Sequence, residues 1–248
     1  MIGCIVGKGS IGKRHGDILN KLGINVYFIR RNTKKKDEIK ITNKKFLEKS
    51  NFFLITNPTS NHIYALKKLL RYKKPILIEK PLFSQILKSN EYKKFLNKKL
   101  FVAYMLRYDP RIEKLKKIVS KSKSSYSKIN WQTYMPNWHP KENFKKSYAS
   151  QKKLGGGVIL TCSHEIDLAL YLFGGVESVN AFSIKNKLKI DVEDRVQIIL
   201  RHLSGHLSEI FLDFGNKNLS RKIKVYNNNE ILKWNFYKNF LTVTKKGK

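Results

Sequence analysis

The chain has 248 residues, 41% of them hydrophobic and 12% aromatic, which is enough to bury a core and excludes wholesale disorder. No apolar run approaches the roughly 18 residues that a membrane-spanning helix needs, and two cysteines, Cys4 and Cys162, are too few for a disulfide framework or a cysteine zinc cluster. Fifty-one basic residues against 18 acidic ones give a formal net charge of +33, which taken alone points to a polyanion partner.

The make-up of that charge weakens the nucleic-acid reading. Lysines number 42 and arginines only 9, whereas bidentate readout of bases or phosphates favours arginine. Lysine, asparagine and isoleucine are all abundant and share A/T-rich codons, so genome bias can produce this composition. A general attraction for phosphorylated small molecules is the better inference, with nucleic acid a lesser one. The six histidines show no metal-ligand spacing, so no metal site is expected. The N-terminal Met1–Gly7 lacks the basic flank and cleavage site of a signal peptide, and the sparse cysteines suit a reducing cytoplasm. A cytoplasmic protein without a membrane partner is expected.

In chain order, the first hundred residues alternate strand and helix signals. Met1–Val6 is a short apolar strand. Ile11, His15, Ile18, Leu19 and Leu22 follow at helical spacing, and Gly23 stops that helix. Ile24–Ile29 reads as a strand, Thr33–Asn43 as a polar loop and Lys44–Lys49 as a short helix. Phe52–Thr56 is a buried-type strand broken at Asn57-Pro58, and a helix follows over Ser60–Tyr72. Pro75–Ile78 is a strand, Ser84–Leu96 a helix and Leu100–Tyr104 a strand. This alternation implies a parallel sheet covered on both faces.

The second half differs. Arg111–Val119 reads as a helix and Ile129–Tyr134 as a strand. Gly155–Gly157 opens a buried helix that Gly174-Gly175 stops. Strands without intervening helices follow at Val179–Ile184, Arg195–Leu200, Leu207–Phe214, Lys222–Tyr226, Glu230–Phe236 and Phe240–Thr244. They imply a largely antiparallel sheet of five or six strands with one helix packed on it. We expect domains over residues 1–105 and 106–248.

Gly7-Lys8-Gly9-Ser10-Ile11-Gly12 matches G-x-G-x-x-G, and its position between the first strand and the first helix gives the match its weight. Gly7 permits the tight turn, Gly9 the approach of a pyrophosphate, and Gly12 close helix–strand packing. The helix N-terminus then offers N–H groups and partial positive charge. An NAD site usually has Asp or Glu about 20 residues on. Here Arg30-Arg31-Asn32 holds that place, and no carboxylate follows until Asp37. The pair suits a 2′-phosphate, so NADP(H) is expected over NAD(H), unless both arginines are solvated surface charges.

Several segments together resemble the Gfo/Idh/MocA oxidoreductases, NAD(P)-dependent enzymes acting mainly on sugars and polyols. They are Gly7–His15, Ile55–His62 (ITNPTSNH), Glu79–Leu82 (EKPL), Tyr104–Arg107 (YMLR) and Gly155–Gly174, spread over nearly the whole chain. Met135–Gly157 further resembles a bacterial subgroup associated with surface-glycan sugar biosynthesis. The resemblance implies an α/β protein: an N-terminal Rossmann domain with a doubly wound parallel sheet, and a C-terminal α+β domain with an open, largely antiparallel sheet.

The resemblance also implies a site. Gly7, Gly9, Ser10, Ile11, Gly12, Arg30, Arg31, Thr56, Asn57, Pro58, His62, Glu79 and Lys80 fall in the cofactor half, although His62 is equally well a helix-packing residue. Lys80, His164 and Asp167 are the catalytic candidates, with Lys80 and His164 handling the proton; Asp167 could instead only orient a neighbour. Arg107, Lys146, Tyr148, Thr161 and His164 are the substrate candidates. A cis Lys80-Pro81 bond and a homo-oligomer are also implied. Two departures stand out. Leu160 and Thr161 occupy positions where many relatives carry an aspartate, and Met105 stands where many have asparagine. The chain also stops at Lys248, earlier than typical relatives. These departures keep a non-catalytic dinucleotide-binding protein open as the alternative to a sugar dehydrogenase.

Overall fold

The computed structural model describes residues 1–96, 99–121, 124–184, 188–227 and 230–245. The chain divides into two compact units. The first is Met1–Ala103 with Lys153–Gly155, and the second is Tyr104–Lys152 with Gly156–Lys248.

The first unit runs β1 (Ile2–Val6), α1 (Ser10–Lys21), β2 (Asn25–Ile29), β3 (Glu38–Ile39), α2 (Lys44–Lys49), β4 (Phe52–Ile55), α3 (His62–Leu69), β5 (Ile76–Ile78), α4 (Ser89–Lys93) and β6 (Leu100–Val102). Its sheet has the order β3-β2-β1-β4-β5-β6, and every pair is parallel. The order reverses between β1 and β4, and ligands of such sheets bind at that crevice, beyond the strands' carboxyl ends. The strands are apolar along their length because helices cover both faces. Cys4, Val6, Phe53, Ile55, Ile76 and Ile78 pack against Leu47 of α2 and Ala65, Leu66 and Leu69 of α3. Ile5, Val26, Phe28 and Leu54 form the opposite layer, with Leu19 of α1 packed against it.

Two segments depart from the sequence reading. Of the helix expected over Ser84–Leu96, only α4 forms. Leu82, Phe83 and Leu87 still pack on the core while Ile86 is fully exposed, so an irregular segment meets the apolar spacing that suggested a helix. The loop expected over Thr33–Asn43 contains β3, which extends the sheet beyond β2.

The second unit contains α5 (Pro110–Val119), β7 (Ser124–Tyr134), α6 (Val158–Thr161), α7 (Ser163–Phe173), β8 (Val176–Ile184), β9 (Arg195–His202), β10 (Leu207–Asp213), β11 (Gly215–Asn227), β12 (Glu230–Asn235) and β13 (Phe240–Lys245). Asp109 caps α5 by accepting from Arg111 N, and Pro110 occupies the first helical position, a start that both residue types favour. The sheet has seven strands rather than five or six, in the order β13-β12-β11-β7-β10-β9-β8. The additional strand is β7, which enters at the centre. It pairs parallel with β10 and antiparallel with β11. A strand separated in sequence from the others by α6 and α7 gives no hairpin signal, so its place is a tertiary outcome. The expected single helix is split at Cys162 into α6 and α7. Ile112 and Leu115 of α5 and Leu168, Ala169 and Leu172 of α7 pack with Ile129, Ile198, Ile210, Leu212, Ile223 and Trp234 of the sheet. No single helix among the described residues is long and apolar enough to cross a membrane.

Candidate functional site

In the first unit the glycine loop joins β1 to α1 at the reversal of strand order. Gly7 has φ +97°, a region that side chains rarely adopt. A Cβ on Gly12 would lie 2.5 Å from Gly7 O and 2.7 Å from Thr56 Oγ1. The chain itself therefore requires glycine at both positions. Gly9 is different: its φ is −74°, and a Cβ there would meet nothing within 4 Å. Gly9, Ser10 and Ile11 are exposed, and no side chain caps the N-terminus of α1.

Thr56 and Asn57 follow β4 on the other side of the reversal. The Thr56 hydroxyl donates to Val6 O at 2.9 Å, tying the two strand ends together. Asn57 Nδ2 donates to Asn61 O at 3.4 Å, while Asn57 Oδ1 is buried and accepts from no group among the described residues. Pro58 is exposed. His62 is 1% exposed, with Nε2 2.9 Å from Asn57 O and Nδ1 3.1 Å from Pro81 O. A neutral imidazole donates from one nitrogen only, so one of these carbonyls accepts from His62, and burial holds the imidazole below its ordinary pKa. His62 is packed between the Asn57 turn and the segment after β5. Lys80 is half-buried at the end of β5, and the Lys80-Pro81 bond is cis. Glu79 faces His15 of α1, with Oε1 2.8 Å from Nε2. Arg30 and Arg31 are exposed just beyond β2.

In the second unit His164 and Asp167 share one face of α7, as their spacing requires. That face carries the segment Tyr104–Arg107. Arg107 grips Asp167 with two hydrogen bonds, Nε to Oδ2 at 2.9 Å and an Nη to Oδ1 at 2.5 Å. Asp167 is 5% exposed, and each of its oxygens accepts from the Arg107 guanidinium, which it thereby orients. The Arg107 guanidinium lies 5.8 Å from the Tyr104 ring centre and 5.2 Å from that of Tyr171. Tyr104 also meets the His164 ring edge-on at 5.7 Å. Thr161 ends α6 and is buried. Lys146 and Tyr148 sit on exposed turns that Ser150 braces, its hydroxyl donating to Phe144 O at 2.6 Å.

Residues 128–229 match the family model of the GFO/IDH/MocA C-terminal domain. The match covers most of the second unit. Solved structures cover nearly the whole chain with the same fold. The WlbA dehydrogenase from Bordetella pertussis, determined with NADH and UDP-GlcNAcA, has a TM-score of 0.83 at 17% identity, over 100% of this chain and 78% of that one. Levoglucosan dehydrogenase, determined with NADH and levoglucosan, gives 0.82 at 17% identity, over 99% and 76%. The UDP-N-acetylglucosamine 3-dehydrogenase GnnA from Acidithiobacillus ferrooxidans gives 0.78 at 15%, over 99% and 80%. At these identities the likeness is one of fold. No curated protein matches the chain by sequence.

The second unit also carries a charged pair that the sequence reading passed over. Glu165, next to His164, is 1% exposed and accepts from Arg221 Nε at 2.7 Å. Arg221, from β11, lies between the Trp131 and Phe236 rings. The pair fixes α7 on its sheet, and so fixes the direction in which His164 and Asp167 project. In the first unit the reading also passed over His15 and Lys8. His15 shares its helical spacing with Ile11, Ile18 and Leu22, which are exposed, so that spacing did not mark the buried side of α1.

Proposed function

We propose that the chain is an oxidoreductase that moves hydride between a nicotinamide dinucleotide, NADP(H) in preference to NAD(H), and a carbinol or carbonyl carbon of a sugar. Gly9 carries the proposal. Its neighbours Gly7 and Gly12 are explained by the chain's own packing, but Gly9 is not, and open space beside a glycine at the mouth of a helix is what a pyrophosphate needs. The residues present fit the cofactor. The first turn of α1 would take the pyrophosphate, Asn57 Oδ1 would accept from a cofactor hydroxyl, and Arg30 and Arg31 would take a 2′-phosphate. The dinucleotides and sugars held by the Bordetella and levoglucosan enzymes support the same pairing of ligands.

When bound, the nicotinamide supplies the hydride acceptor or donor. The chain's own part is proton handling and orientation. As a carbinol C–H gives up hydride and the C–O bond becomes a carbonyl, the hydroxyl proton passes to Lys80 Nζ, with His164 relaying or holding it. Arg107, fixed by Asp167 and flanked by two tyrosine rings, positions the sugar and favours an anionic one, such as an acidic or nucleotide-linked sugar. Thr161, Lys146 and Tyr148 complete the proposed sugar contacts; Thr161 can hydrogen-bond a hydroxyl but cannot take its proton.

The test is titration of the purified protein with NADPH and NADH, followed through the emission of the reduced nicotinamide, and then a sugar screen with the bound cofactor. Tight NADPH binding with weaker NADH binding is expected, and Lys80→Ala should lower turnover by about 10²–10⁴-fold. Equal affinities remove the NADP preference, and binding of neither dinucleotide overturns the proposal. The same reading carries a cytoplasmic homo-oligomer: Cys4 and Cys162 are both buried and neither is in a disulfide, and the edge strand β8 exposes Val179, Phe182 and Ile184. A monomeric mass by light scattering would refute the oligomer.

A further inference from the structure

The tip of β2 holds a charged cluster that the glycine motif does not require. β3 pairs with β2 through Phe28↔Glu38 and Ile29↔Ile39, and Phe28 N donates to Asp37 O at 2.7 Å. This pairing returns Asp37 and Glu38 to the end of β2, the position from which a carboxylate reads the ribose hydroxyls of NAD in such folds. By chain distance the carboxylate comes late; in space it is in place. Lys8, between the first two glycines of the loop, reaches across to it. Its Nζ passes 4.6 Å from the centre of the Phe28 ring and ends 2.8 Å from Asp37 Oδ2 and 3.0 Å from Glu38 Oε1. The other Glu38 oxygen accepts from Lys34 N at 2.9 Å. The Lys8 and Glu38 side chains are 15% and 8% exposed, and Asp37 is 43% exposed. The first unit therefore holds both acidic and basic candidates at one strand end, Asp37 and Glu38 together with Arg30 and Arg31.

We propose that Lys8 sets the choice between the two dinucleotides by occupying Asp37 and Glu38. This rests on the reading of the first unit as a dinucleotide-binding domain. With Lys8 in place, three cations (Lys8, Arg30 and Arg31) stand against two carboxylates, and the surplus favours a 2′-phosphate. Carboxylates engaged by an ammonium are poorer acceptors for a ribose diol. Without the ammonium the charges balance, Asp37 and the freed Glu38 oxygen can accept from the 2′- and 3′-hydroxyls, and both repel a phosphate. The two arginines alone would give a preference indifferent to Lys8, and that difference makes the proposal testable.

The experiment measures dissociation constants for NADPH and NADH, by emission of the reduced nicotinamide, in wild type, Lys8→Met, Lys8→Arg and Asp37→Asn. Lys8→Met keeps the stem over Phe28 and removes the charge. It should move the NADPH-to-NADH affinity ratio toward NADH by about tenfold or more, since hydrogen bonds to charged groups are worth about that much. Lys8→Arg should keep the wild-type ratio. Asp37→Asn, at a half-exposed position where folding is not at stake, should move the ratio the opposite way, toward NADPH. A ratio unchanged in Lys8→Met overturns the proposal, and if Lys8→Met does not fold, Lys8→Gln takes its place. Wild type binding neither dinucleotide would instead overturn the reading on which the proposal rests.

Discussion

Gly7, Gly9 and Gly12 lie within six residues of one another, yet the chain's own packing requires only two of them to be glycine. Gly12→Ala would push a methyl into Gly7 O and the Thr56 hydroxyl, so it should destabilise the protein by about 1–3 kcal/mol, as overpacking does, read as a lower midpoint in urea. Gly9→Ala should leave that midpoint in place and weaken NADPH binding about tenfold or more, since the added methyl stands where the phosphates approach. The reverse pattern would remove the phosphate role from the loop. Asp167 calls for a similar separation of roles. Because both its oxygens hold Arg107, Asp167→Asn should raise KM for the sugar and leave the pH profile of kcat where it was. A displaced profile would return Asp167 to the proton path.

At the scale of elements, α7 is held by buried polar groups at both ends. Near its start, the Glu165–Arg221 pair is enclosed by Trp131 and Phe236. Removing one member leaves an uncompensated buried charge, so Glu165→Ala should lower unfolding free energy by about 3 kcal/mol or more, whereas replacing both with apolar residues should be much milder. Urea midpoints of the single and double variants would check this. Past its C-terminus, His202 Nδ1 lies 3.0 Å from Gly174 O and Nε2 2.9 Å from Ser208 Oγ, while His206 Nδ1 lies 3.0 Å from Ser124 O and Nε2 2.9 Å from Ser127 Oγ. A neutral His206 ring can donate from Nδ1 to the Ser124 carbonyl. Burial pushes His206 from the ordinary 6.5 down to about 4. The unfolded state therefore binds the proton first. The stability this group contributes is complete above pH 6.5 and is lost as pH falls from 6.5 through 4, by about 3 kcal/mol in all. His206→Asn should flatten that part of the pH dependence, and an unchanged slope would show that other groups carry it.

For the whole molecule, all three tryptophans, Trp131, Trp138 and Trp234, belong to the second unit. Tryptophan emission therefore reports the unfolding of that unit, and circular dichroism reports both. A ligand bound only to the folded first unit at a hundred times its Kd stabilises that unit by about 2.7 kcal/mol. NADPH should accordingly raise the dichroism midpoint; no shift at saturating NADPH would contradict binding there. The net charge of +33 predicts retention on DNA at low salt that disappears steeply as salt rises, with no sequence preference. Retention that is sequence-specific and survives high salt would revive the nucleic-acid reading.

The sequence by itself determined the two halves of the chain, the glycine loop, the strand ends that carry Thr56 and Lys80, and the shared face of His164 and Asp167. Each of these is local: hydrophobic period, a turn residue or a spacing of three places along a helix fixes it without reference to distant residues. Only the tertiary structure decided which partner each charged group takes. His62 lies against the backbone carbonyls of Asn57 and Pro81, Asp167 meets Arg107, Glu79 meets His15, and Asp37 and Glu38 meet Lys8. It also decided that β7 lies at the centre of the second sheet and that β3 returns a carboxylate to the tip of β2. These outcomes depend on residues tens of positions apart, and in a chain with 42 lysines charge alone gives no way to tell which one will meet an acid.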